Sequence, residues 1–445
     1  MPEKPTNRSI ANAPNYDVAI VGASLAGCAT AIALGRAGAS VALVEKSPDP
    51  NAFKRICSHF IQASAVPALE RLDLLEPILD AGGLRTPMRA WTRWGWIEPP
   101  RSGARQAVNL RREILDPLLR ETAAATPGVE LMLGRSAQRL LREDGSINGL
   151  VARDSSGAET ELRARLVVGA DGRESRVAEL AGVKTRTLPH GRLAYGAYFE
   201  GPPAAPDHTS SIWLLDPHWA GAFPTDSGLV FYTAMVTKDR LPEFRRDPEA
   251  ALIEFVAGLP APPPIEVSKM AGPVMGKIEM PSHIRTPVAP GLALVGDAAQ
   301  AVDPLFGVGC GWALQSAEWL AESVAPTLRG EGPLARGLER YRRRHRRELR
   351  GHTYLINDYS SGRRFSPPER AMFAAAARDP RIAALFDDLG TRSAKPGRTI
   401  ARMMPRVIAV NARYRLRRRG STYESSGRPA WSGSPSVPRS RSSSP

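Results

Sequence analysis

The sequence predicts an α/β fold: a discontinuous parallel-sheet domain carries an inserted, mainly antiparallel β domain, and a helical C-terminal segment follows. One observation is a short apolar run, Asp17–Val21, followed by an Ala- and Leu-rich stretch, Leu25–Arg36, and a second apolar run, Ser40–Val44. Parallel strands that are buried on both faces have this composition. The other is a change near residue 187, where aromatic and strand-favouring residues separated by proline-rich breaks predict antiparallel strands.

The remaining elements follow in order along the chain. They are helices at Val66–Leu79, Asn109–Ala125, Trp312–Leu328, 333–360 and 367–390, strands at Val129–Leu133 and Leu292–Val295, and a β-meander over 137–168 that ends in the strand Leu166–Ala170. The expected segments are 15–185 and 285–330 for the first domain, 186–284 for the inserted domain with 86–104 as a further candidate, 331–400 for the helical segment, and 1–14 and 420–445 as disordered ends.

Composition and charge exclude several classes of protein. Of the 445 residues, 42% are hydrophobic, which is enough for a packed core. Cys28, Cys57 and Cys310 are far apart, which argues against a disulfide framework or a cysteine-based zinc site and for a reducing compartment. The net charge of +15 is concentrated in 329–350 and 402–445 and accompanies no nucleic-acid-binding motif. No apolar run reaches the ~20 residues of a membrane span, so we expect a cytoplasmic protein.

A glycine-rich turn joins the first predicted strand and helix. The sequence GASLAG runs from Gly22 to Gly27, and Glu45 ends the next strand. The tight turn at Gly22 and close packing at Gly27 bring a helix N-terminus to a pyrophosphate, whose charge the free N–H groups and the helix dipole stabilise. Glu45 can accept hydrogen bonds from an adenosine ribose. This Rossmann-like unit predicts nucleotide binding, although Ser24 replaces the usual middle glycine and crowds the phosphate.

Two later segments deliver an aspartate beside a glycine at the end of a strand. LVVGADGRESRV contains Asp171-Gly172, and LALVGDAAQAVDPLFGVGCGWALQSAE contains Gly296-Asp297. Ligands bind at these carboxyl ends in open α/β sheets. Asp297 can accept hydrogen bonds from a polyol, and the N–H groups of Gly307–Gly309, just before a helix, can face a developing negative charge.

In order and spacing, the three motifs resemble those of flavoprotein monooxygenases of the para-hydroxybenzoate hydroxylase fold, within the glutathione-reductase-type FAD superfamily. The resemblance covers about residues 15–330 and implies bound FAD, with NAD(P)H as reductant. The residues that it assigns to the cofactor are Gly22, Ser24, Ala26, Gly27, Glu45, Arg55, Arg112, Asp171, Gly172, Gly296, Asp297, Gly307, Gly309 and Cys310. Arg112 can instead be a surface helix arginine, and Asp171 a turn at a strand end.

The segment FKRICSHFIQ, residues 53–62, forms the loop after the second strand. In the superfamily that this chain resembles, the loop at this position approaches the flavin. Arg55 is therefore a candidate for cofactor contact, with a surface position as the alternative. Cys57 is a candidate for redox chemistry or flavin attachment, with a buried free thiol as the alternative. His59 is a candidate acid or base, with a structural histidine as the alternative.

Departures from the family pattern leave the reaction open. Gln300 stands where the family has a His after Gly-Asp-Ala-Ala, and Gly311 stands where the family has an Asn after Gly-x-Gly-Met. The segment Asp303–Gly309 also resembles flavin-dependent halogenases and geranylgeranyl reductases, but the halogenase Trp-x-Trp-x-Ile-Pro would fall at Trp219–Pro224, where its second Trp is absent.

The first hypothesis is a monooxygenase that uses NAD(P)H and O₂, through a flavin C4a-hydroperoxide, to oxygenate a small apolar or aromatic substrate. Because the flavin carries this chemistry, the catalytic side chains are not identified. The alternatives are an alkene reductase, a halogenase, and a non-catalytic nucleotide-binding or redox-sensing protein. The candidate pocket residues, of which half are expected to be plain core, are Tyr195, Tyr198, Phe199, Trp213, Trp219 and Phe231.

The first interpretation of the arginine-rich helix and tail is a charged surface exposed to solvent. A partner such as an acidic carrier protein or a separate flavin reductase, and an anionic membrane surface, stay open as alternatives.

Overall fold

A computed structural model describes residues 15–99, 105–203, 205–263, 265–266 and 269–425. The expected disorder of residues 1–14 and 426–445 falls outside this described part. The strands are β1 (Asn15–Val21), β2 (Val41–Val44), β3 (Phe60–Ile61), β4 (Leu84–Thr86), β5 (Met88–Thr92), β6 (Gly95–Ile97), β7 (Ala107–Asn109), β8 (Val129–Met132), β9 (Ser136–Glu143), β10 (Ser146–Arg153), β11 (Glu159–Gly169), β12 (Thr185–Leu188), β13 (Arg192–Glu200), β14 (Ser210–Leu214), β15 (Trp219–Pro224), β16 (Leu229–Thr237), β17 (Met275–Lys277), β18 (Ser282–Arg285), β19 (Val288–Ala289), β20 (Leu292–Leu294) and β21 (Gln300–Ala301).

Helices alternate with these strands in the first half of the chain and dominate its end. They are α1 (Leu25–Arg36), α2 (Val66–Arg71), α3 (Leu75–Asp80), α4 (Arg112–Ala125), α5 (Arg176–Leu180), α6 (Leu241–Arg246), α7 (Pro248–Ala257), α8 (Gly309–Leu328), α9 (Leu334–Ser360), α10 (Pro367–Ala376), α11 (Pro380–Gly390) and α12 (Pro396–Ser425). None of the helices in the described part of the chain has both the length and the apolar character that crossing a membrane requires.

The first sheet confirms the α/β class. Its order is β19-β20-β11-β1-β2-β8, and the neighbours from β20 to β8 pair in parallel. The meander strands extend it through antiparallel pairs of β10 with β11 and of β9 with β10. The four residues of β2 are all buried, because α1 and α8 pack together on one face of this sheet and a second apolar cluster covers the other. The carboxyl ends of β1, β11 and β20 therefore meet at one edge.

The second sheet is mainly antiparallel, with the order β17-β13-β16-β15-β14-β5-β6. The exception is the parallel pair of β14 with β5, which brings the early segment around residues 88–97 into this sheet. One face packs on α6 and α7, where Trp213 and Phe244 are buried. The other face lies against α9 to α12, so the C-terminal helices cover this face of the sheet.

Several element boundaries differ from the sequence prediction for local reasons. The helix predicted over Val66–Leu79 is two helices, because Asp73 adopts φ 48° between them. The helix predicted over 367–390 is broken at Asp379, whose side chain caps α11 while Pro380 occupies its first turn. The last helix continues past residue 420 to Ser425, beyond the start of the predicted disordered tail.

Candidate active site

The two glycines of the turn after β1 lie where there is no room for a side chain. Gly22 has φ 103°, and a Cβ on it would lie 2.6 Å from the carbonyl oxygen of Ala170. A Cβ on Gly27 would lie 1.7 Å from the carbonyl oxygen of Gly22. Ser24 is the N-cap residue of α1 but makes no side-chain cap hydrogen bond. The first-turn N–H groups of α1 therefore stay available to an anion.

Glu45 lies directly against this turn. One carboxylate oxygen accepts the Ala23 N–H at 2.8 Å, and the other accepts the Ser47 N–H at 3.0 Å. Each oxygen keeps a second lone pair. The carboxylate is thus fixed beside the α1 N-terminus and can still accept hydrogen bonds from a ligand.

The third motif meets the first one. A Cβ on Gly296, which has φ 56°, would lie 2.9 Å from the Ala26 side chain. Asp297 follows, and a carboxylate oxygen of this residue would lie 3.9 Å from a Cβ on Gly309, the first residue of α8. Lys54 Nζ lies 3.4 Å from the Asp297 carboxylate, which is the main cause of the raised pKa of Lys54. The structure thus joins two segments that are about 270 positions apart in the sequence.

A buried ion pair organises the loop after β2. Arg112 Nη2 lies 2.7 Å from Asp116 Oδ1, and both side chains are at most 4% exposed. Arg112 also donates to the hydroxyl of Ser24 at 2.7 Å, and Asp116 accepts the Lys54 N–H at 3.0 Å. Arg112 is therefore buried and not a surface arginine. Asp116 was missed in the sequence reasoning, although its i,i+4 spacing from Arg112 was the available signal.

Two thiols lie side by side at this centre. The Sγ atoms of Cys57 and Cys310 are 3.8 Å apart, and Arg112 Nη1 is 3.9 Å from Cys57 Sγ. A hydrogen bond from the Cys310 thiol lowers the pKa of Cys57 well below its ordinary value, with help from the charges of Arg112 and Lys54. The same contact and burial raise the pKa of Cys310. The pair therefore favours the thiolate on Cys57, with Cys310 as the hydrogen-bond donor.

We expect Cys310→Ala to raise the pKa of Cys57, because it removes the S–H donor that stabilises the thiolate. A smaller thiolate fraction at neutral pH should slow iodoacetamide labelling of Cys57 about tenfold in flavin-free protein, as a shift of one pKa unit would. Peptide mass spectrometry over time measures this rate. Cys28→Ala is the matched control, since Cys28 is fully buried and no hydrogen bond joins it to the pair in the described residues. An unchanged rate in Cys310→Ala would contradict the pairing.

His59 links the same loop to the second sheet. Its Nδ1 accepts the Arg112 N–H at 2.9 Å, so the neutral ring carries its proton on Nε2, which donates to the Tyr198 hydroxyl oxygen. Burial lowers the pKa of His59, which keeps the ring neutral. The Tyr198 hydroxyl keeps its own proton, because burial raises its pKa. That O–H is then free to donate to a ligand.

Three predicted residues are less closely tied to this centre. The carboxylate of Asp171 accepts hydrogen bonds from the Ser175 hydroxyl at 2.5 Å and the Val177 N–H at 2.9 Å, so it caps the start of α5. Gly172 has φ 85° and makes the turn before that helix. Arg55 is exposed and forms no ion pair within the described part of the chain.

A large apolar cavity lies between the second sheet and the C-terminal helices. It encloses about 1520 Å³ of space, including solvent at its mouth. At one end, called the cofactor end below, it is lined by Ser58, Phe60 and Gly307, next to the thiol pair and the third motif. Residues of β14 to β16 form one wall. The opposite wall is formed by apolar side chains of α9 to α12, among them Ile356, Tyr359, Met372, Phe373, Leu389 and Met404.

Half of the six predicted pocket aromatics face this cavity side of the sheet. Trp219 lines the cavity, and Phe231 pairs directly with the lining residue Phe223. Tyr198 pairs with Phe231, so it lies on the same face. The other three pack in the core beneath α6 and α7; they are Tyr195, Phe199 and Trp213.

Comparisons with known proteins agree with this geometry. A family model described as an FAD-binding domain matches residues 15–352. Digeranylgeranylglycerophospholipid reductase 1 of Methanothermobacter thermautotrophicus is 30% identical over 349 residues, 75% of this chain and 83% of the relative. The Methanopyrus kandleri enzyme of the same name is 29% identical over 361 residues, 75% of this chain and 87% of the relative.

Solved structures share the fold at lower identity. The flavin-dependent brominase Bmp2 is similar over 90% of this chain and 100% of its own, with a TM-score of 0.73 and 18% identity. The p-nitrophenol 4-monooxygenase PnpA of Pseudomonas putida is similar over 85% of this chain and 98% of its own, with a TM-score of 0.66 and 21% identity.

Proposed function

Since the chain belongs to the family of this FAD-binding domain and is an FAD-dependent oxidoreductase, we propose that it reduces a carbon–carbon double bond in a long apolar substrate held in the cavity. The observation that carries the proposal is the cavity itself. Its cofactor end lies next to the thiol pair and the third motif, and its walls are mostly apolar. Such a site favours a hydrocarbon chain over a small phenol that needs hydrogen-bond partners.

The residues at the strand ends fit FAD. The turn at Gly22 and Gly27 has room for backbone only, which suits a pyrophosphate at the uncapped start of α1. We assign Glu45 to the adenosine ribose and Asp297 to the ribityl chain. Gly307 and the N-terminus of α8 are assigned to the pyrimidine edge. When bound, FAD supplies the two-electron chemistry, and NAD(P)H is the proposed source of its electrons.

The chain's own residues bind and orient the substrate, and they exclude water from it. The apolar walls remove solvent from the reacting end of the substrate, which strengthens local electrostatics and suppresses side reactions. Tyr198 holds a proton at Oη, oriented by His59, on the cavity face of the sheet. A double bond that gains two electrons must also gain protons, and we propose this hydroxyl as one donor.

Reduction is favoured over oxygenation by the curated relatives, which are named as reductases of digeranylgeranyl lipids. A monooxygenase is the second candidate. The apolar walls of the cavity support it as well, because an oxygenating flavin needs a site from which water is excluded. The halogenase alternative rests on fold likeness alone, since Trp219–Pro224 lacks the second Trp.

The test is the product formed from geranylgeraniol by the FAD-loaded protein with NADH or NADPH. Under argon, we expect a product that has gained two hydrogen atoms, as measured by mass spectrometry. A product that forms only with oxygen and contains one added oxygen atom would support the monooxygenase and contradict the reductase.

A further inference from the structure

One charged side chain in the cavity wall has no counter-ion among the residues that the structure describes. Arg392 lies between α11 and α12 and lines the cavity. No described carboxylate forms an ion pair with it, and burial lowers its pKa to about 9. The cavity's carboxylate, Glu369, is already neutralised, because Arg363 donates to both of its oxygens at 2.8 Å. Arg392 is thus the uncompensated charge among the described lining residues.

The hydrogen bonds of Arg392 do not require a guanidinium. Nη1 donates to the carbonyl oxygens of Leu389 and Gly390, and Nη2 donates to that of Phe306 at 3.3 Å. Gln62, a neutral side chain, donates to two of the same oxygens, at 2.7 Å for Phe306 and 3.4 Å for Gly390. The Nε–H of Arg392 is buried and has no partner in the described residues. The guanidinium also lies over the Phe306 ring, 5.2 Å from its centroid. This partly buried charge keeps a spare donor that a ligand can accept from.

On the basis of the function proposed above, we infer that Arg392 binds an anionic oxygen group, a carboxylate or a phosphate, at the end of the apolar substrate. A guanidinium recognises both groups through charge-assisted hydrogen bonds. Phe306, which accepts from Arg392, directly precedes Gly307 at the cofactor end of the cavity. The anionic end therefore lies at the cofactor end. The hydrocarbon chain extends away from it, between the sheet and the C-terminal helices.

This orientation also selects the bond that reacts. With its head group held beside Phe306, the substrate presents the double bond nearest that head group to the cofactor end. Double bonds further along the chain lie among the apolar residues of α10 to α12.

The test compares three probes of the same chain: geranylgeraniol, geranylgeranoic acid and geranylgeranyl phosphate. Calorimetry with the FAD-loaded protein should show the acid, the phosphate or both binding about tenfold or more tightly than the alcohol, and the stronger of the two identifies the anion. Arg392→Met should remove this preference while leaving the affinity for the alcohol unchanged. Arg392→Lys, which keeps the charge, should retain part of it.

Gln62→Met is the matched control, because it removes hydrogen bonds to the same carbonyls without removing a charge. It should keep the preference for the anion. If neither anion binds better than the alcohol in the wild type, or if Gln62→Met abolishes the preference as fully as Arg392→Met does, the head-group inference is overturned and the proposed function stands. If none of the three probes binds, both are overturned.

Discussion

Gly27→Ala should purify almost free of flavin. Its Cβ would lie 1.7 Å from the carbonyl oxygen of Gly22, a backbone atom that cannot rotate away as a side chain can. The start of α1 must therefore move off the turn, and its N–H groups lose their alignment toward the pyrophosphate. We expect the flavin content, measured as the ratio of visible to protein absorbance, to fall by about tenfold or more.

The control is the same substitution at another helix start. Gly397 lies near the N-terminus of α12, and a Cβ there would meet no atom within 4 Å. Gly397→Ala should keep its flavin, and circular dichroism should show both variants folded. Full flavin occupancy in Gly27→Ala would show that the glycine turn does not hold the cofactor.

Met235→Arg should abolish turnover while leaving FAD bound. Met235 lines the cavity on β16, opposite the C-terminal helices. A charge placed there without a partner costs several kcal/mol to bury and also occupies the volume of the chain substrate. We expect kcat/KM for geranylgeraniol to fall by more than about a hundredfold, which corresponds to about 3 kcal/mol of transition-state stabilisation.

Met235→Leu is the paired control, because it conserves volume and apolar character and should retain most of the activity. The flavin content of both variants should match the wild type, since none of the residues assigned to FAD lies on β16. Substantial turnover by Met235→Arg would show that the cavity is not where the substrate reacts.

The sequence predicted that the strand-end residues proposed to hold FAD meet at one edge of the sheet, because their signals are local. The turn at Gly22 and Gly27, the acid at Glu45 and the aspartate at Asp297 each stand at a strand end. Parallel strands bring their carboxyl ends to one edge of a sheet. Recognising each strand and the residue that follows it was therefore enough to predict that these residues lie together. Arg112 was also a candidate from the sequence, but its contacts to Asp116 and Ser24 depend on how α4 packs on the turn.

The substrate side was only partly readable. Aromatic residues on β13 to β16 were recognised as a group, but strand register decides which face each one takes. Leu214 pairs with Trp219 and faces the cavity, whereas the adjacent Trp213 faces the core. The opposite wall comes from residues 352–404, which read in sequence as an ordinary helical segment. Arg392 does not stand out in the sequence, because only the fold shows that no described carboxylate forms an ion pair with it.

The central claim is that the apolar cavity and the flavin form one active site. It is tested most directly by titrating geranylgeraniol into the FAD-loaded protein and recording the visible flavin spectrum, with calorimetry in parallel. We predict a saturable change in the flavin band that follows the calorimetric binding curve and disappears in Met235→Arg. Binding by calorimetry with an unchanged flavin spectrum would contradict the claim, because the ligand would then occupy a site remote from the cofactor.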